Sequence, residues 1–423
     1  MPPRCIEAAN GPVRAEFRAI PSKSETHRAL VAGAMADGET TIVGPLDSPD
    51  TRRTRDGLSA MGTAIRISDD SWVVRGLGGR IPGGAVVELG ESGTSARFLT
   101  AVAALGEQPS TLDGSSRLRE RPMDELVGAL RALGASLAAR EGAGLPLRAG
   151  GQAVRGGTVE LPAGRSSQFA SALLLAAPAF ERGVRLVLRP PLVSRGYLAM
   201  TLAMLESFGA IVERHGEHEI VVPRQRLVPC RRGIAGDHSA ASYLFAAAAI
   251  VGGTVRVTGL ARASLQPDAR FLADLERIGC AISERDGAIA VRGSGRIPPF
   301  SWDLRDAPDL APTACAVALN AEGSCRLTGL GHLRLKESDR LAQLATNAIR
   351  MGAGATIRGD ALLIEPAGEG RVADASIDVV NDHRIAMAFA VAGLRRGGVT
   401  LSDAGVVAKS YPTFWVDFER LTS

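Results

Sequence analysis

Aromatic residues make up only 4% of this 423-residue chain. That is too few for the stacking platforms that single-stranded nucleic-acid binding depends on. Cysteines number five, Cys5, Cys230, Cys280, Cys315 and Cys325. They are scattered, odd in count and form no Cys-x-x-Cys, which excludes a disulfide framework and reads as reduced, mostly buried thiols of a cytoplasmic protein. Histidine is scarce, with 6 residues and no His-x-x-x-His spacing, so no metal site is expected. No phosphate-binding P-loop or dinucleotide fingerprint is complete, so no cofactor is expected either. Charge of one sign does not dominate: 49 basic residues face 45 acidic ones. A broad positive field is thereby excluded, and the pI of about 9.0 points instead to Arg and Lys concentrated opposite an acidic ligand. The longest apolar run, near Tyr243 to Val251, is too short to span a bilayer. The opening Met1-Pro2-Pro3-Arg4-Cys5 leads into no apolar signal core. These absences describe a soluble cytoplasmic protein with neither nucleic acid nor membrane as partner.

What is present is repetition. A helix ending in a small-residue turn recurs with glycines at 62, 134, 209, 279 and 352, spaced 72, 75, 70 and 73 residues apart. A second series, Gly38, Gly106, Gly183, Gly253, Gly323 and Gly398, precedes stretches of alternating apolar residues. Both series suit the left-handed position after a helix, which glycine occupies without strain. One unit reads helix, strand, helix, strand, strand. In the first copy these are Thr26–Asp37, Thr40–Val43, Asp50–Met61, Thr63–Ile67 and Trp72–Arg75. Later strand pairs read Ile211–Glu213 with Glu219–Val222, and Ala281–Ser283 with Ala288–Val291.

The sixth copy stops after a helix at Phe414–Leu421. Cys5–Ala9 and Val13–Ile20, joined by Asn10-Gly11, read as a hairpin that completes it. The expected layout is therefore two α/β domains of three units each, six repeats in total. One spans about 21–235 and the other 1–20 plus 236–423, with a hinge at about 20–21 and 235–236.

Charged and polar residues gather where helices begin. Ser22 and Glu25 have capping-box spacing ahead of an Ala/Leu-rich run, and Ser24 and Arg28 fall one above the other on a helix face. With Lys23 they make an anion site at the positive end of a helix, though the same residues also suit an ordinary capped surface helix. Gly90-Glu91-Ser92-Gly93-Thr94 opens another helix. Arg117, Arg119 and Arg121 lie in a short run ended by Pro122, before a helix at Met123–Leu133. Ser166-Ser167-Gln168 opens an apolar helix over Phe169–Ala177, and Ser194-Arg195-Gly196-Tyr197 opens the next. Simple N-capping accounts for either serine equally well. In the second half, Asp309 precedes an apolar helix at Leu310–Leu319 and is a cap or a base. Lys336 and Arg340 are one helical turn apart, Glu337 is placed to pair with Arg340, and Asp382-His383-Arg384 and Lys409-Ser410 complete the set. A cleft between the two domains would gather these cations around two small polyanions, leaving a few carboxylates for proton transfer.

Ser22-Lys23-Ser24, Ser92-Gly93-Thr94 with Arg97, Glu120-Arg121-Pro122-Met123, Ser166-Ser167-Gln168-Phe169, Lys336-Glu337-Ser338-Asp339-Arg340 and Asp382-His383-Arg384 occur in one order across the chain. In these motifs the sequence resembles the EPSP synthases (3-phosphoshikimate 1-carboxyvinyltransferases) of the enolpyruvyl transferase family. The resemblance implies an inside-out fold of two domains, each of three βαβαββ units. It implies transfer of the enolpyruvyl group of phosphoenolpyruvate to the 5-hydroxyl of shikimate 3-phosphate, with release of phosphate, in aromatic amino-acid biosynthesis. By motif match Lys23, Ser24, Arg28, Ser166, Ser167, Gln168, Ser194, Asp309 and Lys336 would hold shikimate 3-phosphate. Lys23, Gly93, Arg121, Gln168, Arg340, Arg384 and Lys409 would hold phosphoenolpyruvate. Asp309 is expected as base and Glu337 as acid, Lys23 sharing that role. The resemblance implies no cofactor, no metal, a monomer, and domain closure over the reacting centre.

The sequence departs from the family at Pro21, Glu91 and Gly196, where glycine, asparagine and proline are usual. An uncrowded Gly93 implies room for the inhibitor glyphosate in the phosphoenolpyruvate site. One rival is the UDP-N-acetylglucosamine enolpyruvyl transferase, which would want a cysteine within residues 106–125, where none occurs. The other is a non-catalytic repeat protein that binds anions or nucleic acid. It leaves Asp309 and Glu337 unexplained, and a steep salt dependence of RNA binding would be its signature.

Overall fold

The computed structural model describes residues 2–139, 144–368 and 374–422. The chain forms two compact units, Pro21–Ala235 and Met1–Ile20 with Gly236–Ser423, here called the continuous and the discontinuous domain. No described helix is long and apolar enough to cross a membrane.

Each repeat builds one sheet. In the continuous domain Gly157–Pro162 runs parallel to Val184–Arg189, which pairs antiparallel with Glu219–Val222, and Glu213–His215 lies outermost. Val86–Glu88, Ser110–Asp113, Leu147–Ala149 and Leu137–Ala139 repeat that order. So do Arg231–Gly233, Glu39–Val43, Ser71–Arg75 and Ala64–Ile67. In this last sheet the leading strand comes from the far end of the domain's sequence, so the domain closes on itself. The discontinuous domain repeats the pattern with Val13–Arg18, Gly253–Thr258, Ala288–Gly293 and Ala281–Arg285, and with Ser301–Asp303, Cys325–Thr328, Ala361–Glu365 and Gly354–Arg358. Its third sheet holds Ala375–Ile377, Val399–Leu401 and Arg4–Ile6.

The N-terminal segment therefore corrects the hairpin reading. Arg4–Ile6 joins the sixth unit as expected, but Val13–Arg18 leads the fourth. The two strands serve different sheets, and Asn10-Gly11 lies in a crossing segment. Every unit also begins one strand earlier than the spacing showed. Several leading strands, such as Arg231–Gly233 and Ser301–Asp303, are three residues long and too short to display alternation. The first strand of the third pair lies at Glu213–His215, displaced from Ile211–Glu213.

The helix between the two parallel strands of a unit is buried nearly from end to end. In the continuous domain these helices are Lys23–Met35, Gly93–Ala103 and Ser167–Ala176; in the discontinuous domain, His238–Val251, Ala311–Ala318 and His383–Gly393. Rich in Ala and apolar beyond their opening turns, they pack against one another at the centre of each domain, with the sheets outside. The second helix of each unit is one-sided. Arg340–Arg350 buries Leu341, Leu344 and Ala348 while Ile349 and Arg350 face out. Glycines 62, 134, 209, 279 and 352 all adopt left-handed φ, between 77° and 108°, just beyond these helices. Gly106 and Gly323 of the second series do not. Cys280, Cys315 and Cys325 are buried, Cys230 is half-buried and Cys5 is exposed.

Candidate active site

The charged residues of the central helices fall within their first six positions, Lys23, Glu25 and Arg28 in the first, Arg97 in the second and Arg384 in the last, so the polar groups gather toward the N-termini. In the continuous domain side chains link the three starts. Ser22 caps Lys23–Met35 by accepting the Glu25 N–H at 3.4 Å. The reciprocal half of the expected capping box is absent. Glu25 accepts the N–H of Ala235 instead, and the Ser22 N–H donates to the Ala235 carbonyl. The first turn is thereby tied to the strand that closes the domain. Lys23 lies 3.1 Å from Asp50, which is 4% exposed and comes from the start of Pro49–Ala60. His27, one turn along, lies 3.5 Å from the same carboxylate oxygen. Its Nδ1 is 2.7 Å from Thr54 Oγ1, and Thr54 reaches Ser95 at 2.8 Å, in the first turn of Gly93–Ala103.

Arg28 and Ser24 share a face as expected, with Arg28 Nη1 donating to the Ser24 carbonyl at 2.9 Å. Arg28 also donates to Thr201 Oγ1 and the Tyr197 carbonyl. Burial pushes its pKa down to about 10, as befits a charge among uncharged partners. Gln168 Nε2 donates to Thr94 at 3.2 Å, joining the second and third helix starts. Ser166 accepts the Gln168 N–H, and Ser166 and Ser167 line a small pocket with Arg195 and Leu198. Ser194 is buried with a left-handed φ of 57° and makes no side-chain cap. Of the three arginines in the short run, Arg117 and Arg119 form exposed pairs with Glu120 and Asp113. Arg121 ends the Ser116–Glu120 helix and turns inward. A Cβ at Gly93 would stand 2.5 Å from Arg121 Nη1 and 2.6 Å from Arg97 Nη1. Only glycine lets both guanidiniums lie against this helix start.

In the discontinuous domain the helix starts carry an ionic lattice. Arg384 Nη2 donates to Asp309 at 2.6 Å and Nη1 to Ser239, so the starts of His383–Gly393, Ala311–Ala318 and His238–Val251 meet. Arg340, 1% exposed, donates through Nε to Asp382 at 2.9 Å and through Nη2 to Glu337 at 2.7 Å, and lies 3.6 Å from Asp309. Its burial disfavours the charge, but Asp382, Glu337 and Asp309 outweigh that and raise its pKa. Lys409 approaches Glu337 at 3.6 Å. The expected Glu337–Arg340 pair is present. Lys336 and Arg340 do not share a helical turn, because a 3₁₀ turn ends before Lys336 and the helix starts only at Arg340, capped by Asp339. Lys336, Asp309, Arg340 and Arg305 all act on buried His332, whose pKa burial, with help from the three cations, lowers to about 3.

Within one domain the structure brings together Lys23, Ser24, Arg28, Gly93, Arg121, Ser166, Ser167, Gln168 and Ser194. Within the other it gathers Asp309, Lys336, Glu337, Arg340, Arg384 and Lys409. Sequence reasoning missed Asp50, His27, Thr201 and Ser239 as members of these groups, and named Asp382 in its motif without giving it a role. Asp50 and Asp382 had a visible signal, since each stands at a helix start with a cation motif as partner. Thr201 and Ser239 had none. Among the described residues no His/Cys/Asp/Glu cluster is arranged to hold a metal ion.

Three repeated units in each domain, with charged residues gathered toward the central helix starts, define a two-domain, inside-out α/β transferase fold. The family model for EPSP synthase (3-phosphoshikimate 1-carboxyvinyltransferase) matches residues 8–418. A 3-phosphoshikimate 1-carboxyvinyltransferase of Methanoculleus marisnigri is 44% identical over 409 residues, 96% of each chain. That of Syntrophobacter fumaroxidans is 42% identical, covering 99% of this chain and 100% of its own. The solved EPSP synthase of Acinetobacter baumannii superposes with a TM-score of 0.82 at 28% identity, covering 99% of this chain and 97% of that one. The chain belongs to the EPSP synthase family.

Proposed function

We infer that the protein transfers the enolpyruvyl group of phosphoenolpyruvate to the 5-hydroxyl of shikimate 3-phosphate, releasing phosphate. The observation that carries this is that each domain gathers its charged residues at its own central helix starts. One domain offers cations and hydroxyls; the other adds carboxylates beside its guanidiniums. In this reading Lys23, Ser24, Arg28, Ser166, Ser167, Gln168, Ser194, Asp309 and Lys336 hold shikimate 3-phosphate. Lys23, Gly93, Arg121, Gln168, Arg340, Arg384 and Lys409 hold phosphoenolpyruvate, the guanidiniums suiting bidentate capture of its carboxylate and phosphate.

The 5-hydroxyl oxygen bonds to C2 of the enol while its proton passes to Asp309 and C3 receives a proton. Asp309 is tied to Arg384 at 2.6 Å. An anionic donor engaging Arg384 loosens that tie and makes Asp309 a better base. Glu337 lies between Arg340 and Lys409. In its protonated form it delivers the proton to C3 and is left as the carboxylate that Arg340 and Lys409 hold, a role that Lys23 shares as an ammonium that already carries a proton. Loss of a proton from C3 and of phosphate from C2 then restores the double bond. No cofactor or metal enters, and the working form is a cytoplasmic monomer.

The test is phosphate release from phosphoenolpyruvate with and without shikimate 3-phosphate, repeated for Lys23→Ala and Asp309→Ala. Each substitution is expected to cost roughly 100-fold or more in kcat/KM. Turnover with UDP-N-acetylglucosamine as acceptor, or full activity of both variants, would overturn the reading.

A further inference from the structure

Between Lys23 and the Gly93 helix start runs a buried polar chain that the reaction as derived does not use. Asp50, His27, Thr54, Ser95 and Ser92 are each between 0% and 4% exposed. A carboxylate only accepts hydrogen bonds; His27 Nε2 is buried and makes no hydrogen bond of normal geometry, but it faces the Asp50 carboxylate at 3.5 Å, an electrostatic contact that favours the proton on that nitrogen. Burial also keeps the ring neutral by lowering its pKa against the opposing pull of Asp50. With the proton on Nε2, Nδ1 accepts, so the Thr54 hydroxyl 2.7 Å away donates to it. Thr54 Oγ1 then accepts from Ser95 at 2.8 Å, and Ser95 accepts from Ser92 at 2.6 Å. The Ser95 hydroxyl has the Asp50 carbonyl, at 3.4 Å, as a weaker second acceptor. Ser92 is itself fixed by the Ser95 N–H it caps at 3.2 Å. On this tautomer all the hydroxyls point one way, from the cap of the Gly93 helix to the carboxylate beside Lys23.

We propose that His27 is a positioning residue: through Asp50 it aims the Lys23 ammonium, and through Thr54 and Ser95 it locks that aim to the Gly93 helix start. The two anion-binding elements are then set relative to each other by one imidazole. Lys23 is bonded to one carboxylate oxygen whose place the ring fixes, so Lys23 is pre-aimed rather than free to sample rotamers. This rests on the roles given to Lys23 and Gly93 under Proposed function.

A double-mutant cycle tests it, read by calorimetric affinity for shikimate 3-phosphate and by KM for phosphoenolpyruvate. His27→Asn keeps an acceptor for Thr54 but is too short to reach Asp50. His27→Gln extends an amide donor to where Nε2 stands. His27→Asn is expected to weaken shikimate 3-phosphate binding and raise the KM for phosphoenolpyruvate about tenfold each, and His27→Gln to return both to within about threefold of the parent. In a Lys23→Ala background His27→Asn should change the affinity less than about twofold, because the group it aims is gone. Should His27→Asn not fold, Thr54→Val, which removes only the hydroxyl that orients the ring, is expected to give about a threefold loss with the same non-additivity. Losses that multiply in both backgrounds, or a His27→Gln no better than His27→Asn, would reduce His27 to scaffold and overturn the proposal. If Lys23→Ala alone binds both substrates as the parent does, the assignment of Lys23 falls instead, a result separable from any effect of His27.

Discussion

The two domains share one architecture but hold their buried arginines differently. In the continuous domain the buried guanidinium of Arg28 is held by a threonine hydroxyl and two backbone carbonyls. In the discontinuous domain Arg340 is held by Asp382, Glu337 and Asp309. The pKa shifts follow. Burial lowers that of Arg28 to about 10, whereas three carboxylates raise that of Arg340. Arg28 finds neutral dipoles in its hydrogen bonds, and Glu25 offsets only part of the cost of burying its charge; in the reading proposed above an incoming phosphate completes the balance. A charge within a carboxylate lattice is neutralised in advance, and a substrate engages it only by loosening an internal pair. In the proposed reading the same kind of helix start serves as a receptor in one domain and as a set of coupled proton carriers in the other.

The largest expected effect breaks this contrast from the lattice side. Asp382 is 0% exposed and accepts from Arg340, Ser338 and the Arg384 N–H. Asp382→Leu leaves Arg340 under-compensated in the core and should destabilise the protein by about 3–5 kcal/mol, read by urea unfolding. On the other side, Arg28→Met removes a charge whose hydrogen-bond partners are neutral. Its unfolding free energy should move by about 1 kcal/mol or less, while affinity for shikimate 3-phosphate falls roughly 100-fold. If the two variants lost equal stability, the distinction between receptor and lattice would not stand.

Acid sharpens the comparison. His332 faces the cations Lys336, Arg340 and Arg305, opposed by Asp309, and its pKa is about 3 against an ordinary value of 6.5. Below that ordinary value the unfolded chain binds the proton first. Stability is therefore full above pH 6.5 and is lost as the pH falls toward 3, by up to about 1.4 kcal/mol per pH unit. His332→Gln should flatten this acid limb in urea titrations. His27 of the continuous domain, also lowered by burial, contributes in the same direction and should leave a residual slope.

How much of this was legible in the sequence depends on range. The repeat, the helix-ending glycines and the cation motifs were readable because each is encoded within a few residues: Gly62 needs only its own φ, and Glu337 needs only Arg340 three positions on. The N-terminal crossing was misread because Asn10-Gly11 is a strong local hairpin signal. The partners that override it, Thr400 beside Cys5 and Val255 beside Ala15, are hundreds of residues away. Three-residue leading strands carry too little pattern to be seen at all. The site's supports escaped for a related reason. Thr201 and Ser239 are ordinary helix residues in sequence and acquire a role only when folding sets them 2.8 Å from Arg28 and within hydrogen-bond reach of Arg384.

The smallest effect concerns backbone strain, which each domain stores at one helix entry. Ser194 sits at φ 57° before Arg195–Ser207, and Val380 at φ 44° two residues before the Asp382 cap. Left-handed backbone costs an L-residue roughly 1–2 kcal/mol, and a β-branched side chain tolerates it worst. Val380 is 39% exposed, so little packing is lost with its side chain. Glycine relieves the strain but adds disorder to the unfolded chain, which offsets part of the gain. Val380→Gly should therefore stabilise the protein by about 0.5–1 kcal/mol and leave kcat/KM within about twofold. Ser194→Gly should gain less, because a short polar side chain bears this conformation better than valine, and should weaken shikimate 3-phosphate binding, because that hydroxyl is assigned to the substrate. Equal gains from both, with no loss of binding at Ser194, would mean that the two helix entries are strained for the same structural reason and that Ser194 has no part in the site.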